Sequence, residues 1–251
     1  MPRLALIADI HANYDALQAV VRDIDRNAID KVVCLGDLVG YGPEPQRCID
    51  LAFELCQALV LGNHDEALLK GPSHGLAMNV RAKNSLEITR TLLTERHLHL
   101  LGSMPVLIEV DGVAVTHGLF GPRKYDYLYD SDAAARAFNC FKQRYGAVGH
   151  THIPSVFTAP MVTPVFPDQV ESKPVGGSTL VLLSDDRRLL VNPGSVGQPR
   201  DRDPNASWAI LDTSDLTLEV RRVSYDTEAT IGKMKKLGLP DFHADRLKVG
   251  G

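Results

Sequence analysis

Arg3-Leu4-Ala5-Leu6-Ile7-Ala8-Asp9-Ile10-His11 is a short apolar run that stops abruptly at a carboxylate. A strand buried on both faces of a parallel sheet reads this way. Leu17, Val20, Val21 and Ile24 follow at helical spacing, and Lys31 to Leu35 is a second apolar run, closed by Gly36-Asp37. Pro45 suits the first turn of a helix that carries Cys48, Ile49, Leu51, Ala52 and Leu55. A third run, Ala58 to Leu61, stops at Gly62-Asn63. Strand, helix, strand, helix, strand predicts a parallel βαβαβ unit.

The texture changes further along. Asn79 to Leu101 is helical through Val80, Leu86, Ile88, Leu92 and Leu93. Val106 to Val110 and Val113 to Thr116, joined by Asp111-Gly112, predict a hairpin. Thr179 to Leu183 and Arg188 to Val191, around Asp185-Asp186, predict another, and Trp208 to Leu211 with Leu216 to Val223 a third. One helix is expected near Ser131 to Tyr145, a surface loop over Pro160 to Gly177, and a last helix over Tyr225 to Lys236. From Gly238 a loosely held tail is expected. The pattern predicts an α/β (α+β) chain whose two sheets pack as a sandwich flanked by helices, with residues 1–251 forming one domain.

The chain has 251 residues, 44% of them apolar and 23% charged, which is ordinary for a globular protein. A net charge of −4 argues against a dedicated nucleic-acid or anionic-membrane surface. It does not exclude a small phosphate ester, because bound cations reverse the local field. Cys34, Cys48, Cys56 and Cys140 lack the C-x-x-C spacing and read as buried reduced thiols. No apolar run reaches the roughly 18 residues of a membrane span, and no secretory apolar segment precedes Asp9, so a cytoplasmic protein is expected.

Function is legible in five islands, each placed where a strand should end. They are Asp9-Ile10-His11, Gly36-Asp37, Gly62-Asn63-His64-Asp65, Thr116-His117-Gly118 and Gly149-His150-Thr151-His152. Ligands in open α/β sheets bind beyond the carboxyl ends of the strands, so distant islands can converge. Imidazoles, carboxylates and one amide oxygen are the groups that hold paired transition-metal ions. Two dications about 3.5–4 Å apart are a recurring device for hydrolysing phosphate esters. Residues two apart in an extended segment point to one side, so Asp9 with His11, and His150 with His152, can each share an ion. Asp37, central among the islands, is the natural bridge. Mixed nitrogen and oxygen ligation favours Mn, Fe, Zn, Ni or Co over Mg. A single D-x-H or G-D is as well explained by a cap or a turn. Five together, using five of the chain's nine histidines, are not.

In this order D-x-H, G-D-x-x-G, G-N-H-D, H-G and G-H-T-H resemble the calcineurin-like metallophosphoesterase superfamily. Asn192 to Asp201, reading N-P-G-S-V-G-Q-P-R-D, is similar to its small bacterial and archaeal branch, whose members are phosphodiesterases and phosphatases. The resemblance implies a four-layer fold, a double sheet between helices. It puts Asp9, His11, Asp37 and His152 on one metal and Asp37, Asn63, His117 and His150 on the other. A hydroxide shared by the two would attack phosphorus in line. His64 would face the leaving oxygen, with Asp65 orienting its imidazole. Ala12 stands where the family often has Gly.

Around the islands, Asn13 reads as either a helix cap or a substrate contact, and Tyr41 as packing or a pocket wall. Arg123, with Lys124, Tyr125, Tyr127 and Tyr129, forms a basic, aromatic loop suited to an anionic, ring-bearing substrate. Arg200 either clamps a phosphate oxygen or pairs with Asp201 or Asp203. His74, His97, His99 and His243 fall outside the islands and read as surface or helix-face residues. The reading that accounts for most residues is a binuclear metal-dependent phosphoesterase acting on a small, nucleotide-like mono- or diester. A non-catalytic metal-containing scaffold and a nuclease are the alternatives. The oligomeric state is not legible.

Overall fold

A computed structural model describes residues 2–71, 78–173 and 175–251, so His74 and Pro174 lie outside the described residues. The first half runs β1 (Arg3–Ile7), α1 (Tyr14–Ile24), β2 (Lys31–Cys34), α2 (Pro45–Leu55), β3 (Ala58–Leu59), α3 (Asn63–Lys70), α4 (Val80–Leu92) and α5 (Glu95–Gly102). Then come β4 (Leu107–Val110), β5 (Val113–Thr116), α6 (Ser131–Phe138), β6 (Tyr145–Ala147), β7 (Ser155–Pro160), β8 (Glu171–Lys173), β9 (Thr179–Leu182) and β10 (Arg187–Asn192). The chain closes with β11 (Ala206–Asp212), β12 (Thr217–Val223), α7 (Thr227–Lys236) and α8 (Asp241–Val249).

Two six-stranded sheets result, ordered β3-β2-β1-β11-β12-β9 and β4-β5-β6-β10-β7-β8. β1, β2 and β3 pair in parallel, as the βαβαβ pattern predicts. Side chains alternate across a strand. Leu4 and Leu6 therefore enter the core between the sheets, with Val33, Val115, Ala147, Leu189 and Leu211. Ala5 and Ile7 face the other way, against Leu17 and Val20 of α1 and Cys48 and Ile49 of α2. On the far sheet Ala114, Phe157 and Leu190 pack against Phe138 of α6. The layers are thus helices, sheet, sheet, helix.

Several expectations are corrected. β9 and β10 do not pair with each other. β9 joins β12 at the edge of one sheet, while β10 lies between β6 and β7 in the centre of the other. The turn at Asp185-Asp186 reverses the chain but also hands it between sheets. The burial pattern carries the reason: Leu180 and Leu182 stay exposed, whereas Leu189, Leu190 and Val191 are wholly buried. The helix expected to reach Tyr145 stops at Phe138. The stretch from Asn79 to Leu101 is two helices, broken where Leu93 and Thr94 become extended. Cys140 is exposed, while Cys34, Cys48 and Cys56 are buried as expected. Residues beyond Gly238 are no loose tail: α8 buries His243, Ala244 and Leu247, and Ala244 and Leu247 pack on Ile231 and Met234 of α7. Among the described residues no helix is long and apolar enough to cross a membrane.

Asp23 clamps α1 to its sheet. Its carboxylate accepts from Trp208 Nε1 at 3.1 Å and from Arg221 Nε at 2.8 Å. Burial would raise its pKa, but Arg221 and Trp208 override this and hold it below 3.8. Asp23→Ala leaves a wholly buried indole N–H without an acceptor and should cost about 2–3 kcal/mol. At roughly 2–4 °C per kcal/mol for a chain of this size, the melting temperature should fall by about 4–12 °C. Because the folded carboxyl is depressed, the wild-type advantage is complete above its unfolded value and shrinks as pH falls below 3.8. Thermal melts at pH 7 and pH 3.5 check both the loss and its sign. An unchanged melting temperature at pH 7 would show that the clamp carries no stability.

Candidate metal centre

Each island sits in the loop after a strand or opens the next helix, and unusual backbone holds it there. Five of the seven candidate ligands have left-handed φ: Asp9 at 53°, His11 at 48°, Asp37 at 55°, His150 at 70° and His152 at 61°. Such residues cost about 1–3 kcal/mol each and concentrate where function needs the geometry. Gly36, at φ 89°, lies against Gly62, and a side chain on Gly62 would collide with the Asp37 carboxylate and amide. Loop-to-loop contact of this closeness needs glycine on both sides.

The side chains converge. Donor atoms of Asp9, His11 and His152 lie within 4.8 Å of one another, as do those of Asp37, His117 and His150, and those of His11, Asp37 and His64. The donor set can be tested for a cation by following the protons. His11 Nδ1 donates to Val39 O at 2.9 Å, His117 Nδ1 to Leu35 O at 2.7 Å and His152 Nδ1 to Gln198 O at 2.6 Å. In its neutral form each ring therefore presents an unprotonated Nε2 inward. His11 Nε2 and His152 Nε2 face each other at 3.2 Å, lone pair to lone pair. Asp9 Oδ1, buried and without a hydrogen-bond donor, stands 3.3 Å from His152 Nε2. His117 Nε2 faces Asn63 Oδ1 at 3.1 Å. Acceptors pointed at acceptors in a buried space repel unless a cation lies between them; a proton on His117 can serve there in the metal-free chain, but the neutral His11 and His152 have none to offer, so the residues fit metal ions.

Asp37 occupies the middle. Its Oδ1 accepts the His64 amide at 2.8 Å. Its Oδ2 lies 3.5 Å from His11 Nε2 and 3.3 Å from His117 Nε2. Burial disfavours the Asp37 charge, yet the surrounding imidazoles hold its carboxyl far below the usual range. Burial, aided by the charge on Asp37, lifts Asp9 to about 7. Burial also pushes His11 and His152 well below 6.5, which keeps them neutral, as ligands must be. His117 is the exception. Burial works against its proton, but Asp37 and Asp9 win and hold it up to about 9. That is the signature of a site with excess negative charge.

A family model described as the calcineurin-like phosphoesterase superfamily domain matches residues 3–216. The chain belongs to the calcineurin-like phosphoesterase superfamily. An uncharacterized protein of Methanocaldococcus jannaschii is 35% identical over 255 residues, covering 98% of this chain and 98% of its own. A metallophosphoesterase crystal structure from Sphaerobacter thermophilus superposes with a TM-score of 0.86 at 34% identity, covering 100% of this chain and 99% of that one. A hypothetical protein from Pyrococcus horikoshii OT3, at 20% identity and a TM-score of 0.77 over 100% of this chain and 99% of that one, shares the fold. The protein is accordingly a metal-dependent hydrolase of phosphoester bonds.

Several roles in this phosphoesterase differ from expectation. Asp65 does not orient His64: its two oxygens accept the backbone N–H groups of Asp37, Leu38, Val39 and Gly62. It shapes the loop that presents Asp37, because α3 starts at Asn63 and points the Asp65 side chain back at the loop. His64 Nδ1 has no partner, and its ring packs on Tyr41 and His11 at 4.5 and 4.8 Å between centroids. Asn13 is a cap, accepting from Ala16 N while donating to Gly197 O. Arg123 is paired with Asp126 and lines a different cavity. From that loop Tyr127 reaches the site, stacked on His150 at 4.2 Å, and Tyr125 stands edge-on to His117 at 6.2 Å. Arg200 turns to Tyr41 and Gln198 rather than to its acidic neighbours.

The loop Asn192 to Gln198 braces the candidate ligands. Asn192 Nδ2 donates to Gly149 O, Ser195 Oγ to Asp9 O, and Gln198 O accepts from His152. His243, expected on a plain helix face, packs on Tyr41 at 4.5 Å. His97 is buried and caps α5, and His99 is exposed.

Proposed function

We propose that Asp9, His11, Asp37, Asn63, His117, His150 and His152 hold two transition-metal ions bridged by Asp37. With them the protein hydrolyses small phosphomonoesters or phosphodiesters, nucleotide-like ones among them. The observation that carries this reading is the position of Asp37 Oδ2, within 3.5 Å of His11 Nε2 and 3.3 Å of His117 Nε2, one from each half of the cluster. Asp9, His11 and His152 complete one half, and Asn63, His117 and His150 the other. The nitrogen-rich donor set suits Mn, Fe, Zn, Ni or Co. Such ions supply Lewis acidity and lower the pKa of water. Three free buried cysteines fit a reducing, cytoplasmic setting. Residues 1–251 act in this reading as one domain, because the inter-sheet core draws on strands from both halves of the chain.

The chain's own part is positioning and proton transfer. The Nδ1 carbonyl bonds fix which nitrogen of His11, His117 and His152 faces inward. Tyr41 and Tyr127 pack against the imidazoles and keep bulk water from them. His64, beside Asp37 but with a free Nδ1, donates a proton to the leaving oxygen as the P–O bond breaks. Burial holds its pKa down at about 4 in the free protein. The negative charge of a bound phosphate ester draws a proton back to it.

The test is His64→Ala assayed with Mn²⁺ on nitrophenyl and alkyl phosphates. The variant should keep two ions per chain and lose roughly 10²–10⁴-fold in kcat on alkyl phosphates, whose leaving groups need the proton. Nitrophenyl phosphate should suffer much less. Loss of an ion, with an equal fall on both substrates, would make His64 a ligand instead.

A further inference from the structure

Beside the cluster lies a cavity of about 520 Å³ whose wall includes Tyr41, Arg81, Tyr127, Arg200, His243 and Arg246. Its size falls within the roughly 300–1,000 Å³ of small-molecule sites. It adjoins the metal centre through two rings of its wall: Tyr41 packs on His11 and His64, each at 4.5 Å between centroids, and Tyr127 stacks on His150 at 4.2 Å.

Its cations are the informative feature. Elsewhere around the site basic side chains are neutralised: Lys124 holds Glu66, Arg123 holds Asp126, and Lys233 holds Asp15 and Glu44. Among the described residues Arg81, Arg200 and Arg246 pair with no carboxylate. Arg81 and Arg246 both lie over the Phe242 ring, at 4.2 and 4.6 Å. Among the described residues Arg200 Nε is buried without an acceptor, and its Nη2 reaches only the neutral Gln198 Oε1 and Tyr41 hydroxyl. Burial, with Arg200 adding repulsion, depresses Arg246 below its ordinary value. Three like charges gathered without a counter-ion are unfavourable until an anion arrives, and planar guanidinium forks match phosphoryl oxygens. A wall of this cavity, α8, lies outside the residues 3–216 that match the family model.

We propose that this cavity is a second anion subsite, which takes the distal phosphoryl groups of a substrate carrying a diphosphate or triphosphate chain, as in a nucleoside polyphosphate. The proposal rests on the phosphoesterase reading above and names its substrate class. The reaction stays hydrolysis: a bond forms from water oxygen to phosphorus, the P–O bond to the leaving group breaks, and the leaving oxygen takes a proton. Arg81 and Arg246 hold the phosphates that are not being cleaved, and Arg200 stands between them and the metal centre.

The experiment compares the wild-type enzyme with Arg81→Gln/Arg246→Gln, with Mn²⁺, on ADP and on nitrophenyl phosphate. The ratio of kcat/KM for ADP to that for nitrophenyl phosphate should fall at least about tenfold, since hydrogen bonds to charged groups are lost. Most of the change should appear in KM. Inorganic tripolyphosphate should inhibit the wild type at lower concentration than orthophosphate does, and the variant should lose that preference. Hydrolysis of nitrophenyl phosphate with no hydrolysis or binding of ADP would overturn the subsite and leave the phosphoesterase reading intact. Equal losses on both substrates would likewise overturn it, in favour of a structural role. A wild type that hydrolyses neither compound, nor bis(nitrophenyl) phosphate, sinks the phosphoesterase reading, and calorimetric binding of tripolyphosphate to the two proteins still decides the subsite. Tighter binding of a short single-stranded oligonucleotide than of tripolyphosphate would replace it with a polynucleotide site.

Discussion

Removing metal from this phosphoesterase is expected to abolish its activity and lower its melting temperature together. Without a cation, Asp9 and Asp37 face each other's charge in a buried space, and the His11 and His152 lone pairs meet at 3.2 Å. Folding then has to bring together groups that repel. A metal that binds only the folded chain adds RT ln(1 + [L]/Kd), about 2.7 kcal/mol at a hundredfold excess over Kd. For a chain of this size that corresponds to roughly 5–10 °C in melting temperature. Dialysis against a strong chelator, elemental analysis, a thermal melt and a nitrophenyl phosphate assay measure all parts. Mn²⁺ added back should restore both quantities. Full activity and an unmoved melt in a chain shown to hold no metal would leave the metal-centred reading without support.

The sequence made the centre legible because its chemistry is local. Each candidate ligand lies in a short polar break after an apolar run, and the end of a buried strand is a place where such a break is tolerated. Strand ends of one sheet meet at one edge, so Asp9, Asp37 and Asn63 were expected to converge before any contact was known. What the islands could not carry is how their neighbours are used. Asp65 looked like a partner for His64, since the two are adjacent. On a helix, however, adjacent side chains diverge by roughly 100°, and Asp65 faces four loop amides instead.

Longer-range placement was hidden for related reasons. A turn signal at Asp185-Asp186 gives a reversal of direction, not the identity of the strand that will lie alongside, so β9 and β10 were expected to pair and do not. α8 has weak amphipathic patterning, and its buried face is only His243, Ala244 and Leu247. Nothing in such a face distinguishes a docked helix from a frayed tail. Arg81 and Arg246 look in the sequence like any solvated helix charges. Only the fold shows that they share one aromatic ring and one cavity.

Asp37→Asn separates the metal centre from the fold most sharply. The replacement is nearly isosteric and can still accept the His64 amide bond, now 2.8 Å at Oδ1, so the loop should keep its shape. What it loses is the charge between His11 and His117. An amide NH₂ in place of Oδ2 would point hydrogens at the position a cation must occupy. Metal content should therefore fall by one or both ions per chain. Lewis-acid stabilisation is worth several kcal/mol, at 1.36 kcal/mol per factor of ten, so kcat on nitrophenyl phosphate should drop about 10³-fold or more. In the metal-free state the variant relieves the repulsion on Asp9 but loses the attraction between Asp37 and the His117 imidazole, so it should melt somewhat below the metal-free wild type. Asp65→Asn makes the contrast. An NH₂ group there confronts four backbone N–H donors, so it should lose metal and, even without metal, melt lower than Asp37→Asn does. Elemental analysis, turnover and paired melts of both variants read these outcomes. An Asp37→Asn protein that kept two ions and near-wild-type turnover would remove Asp37 from the bridge.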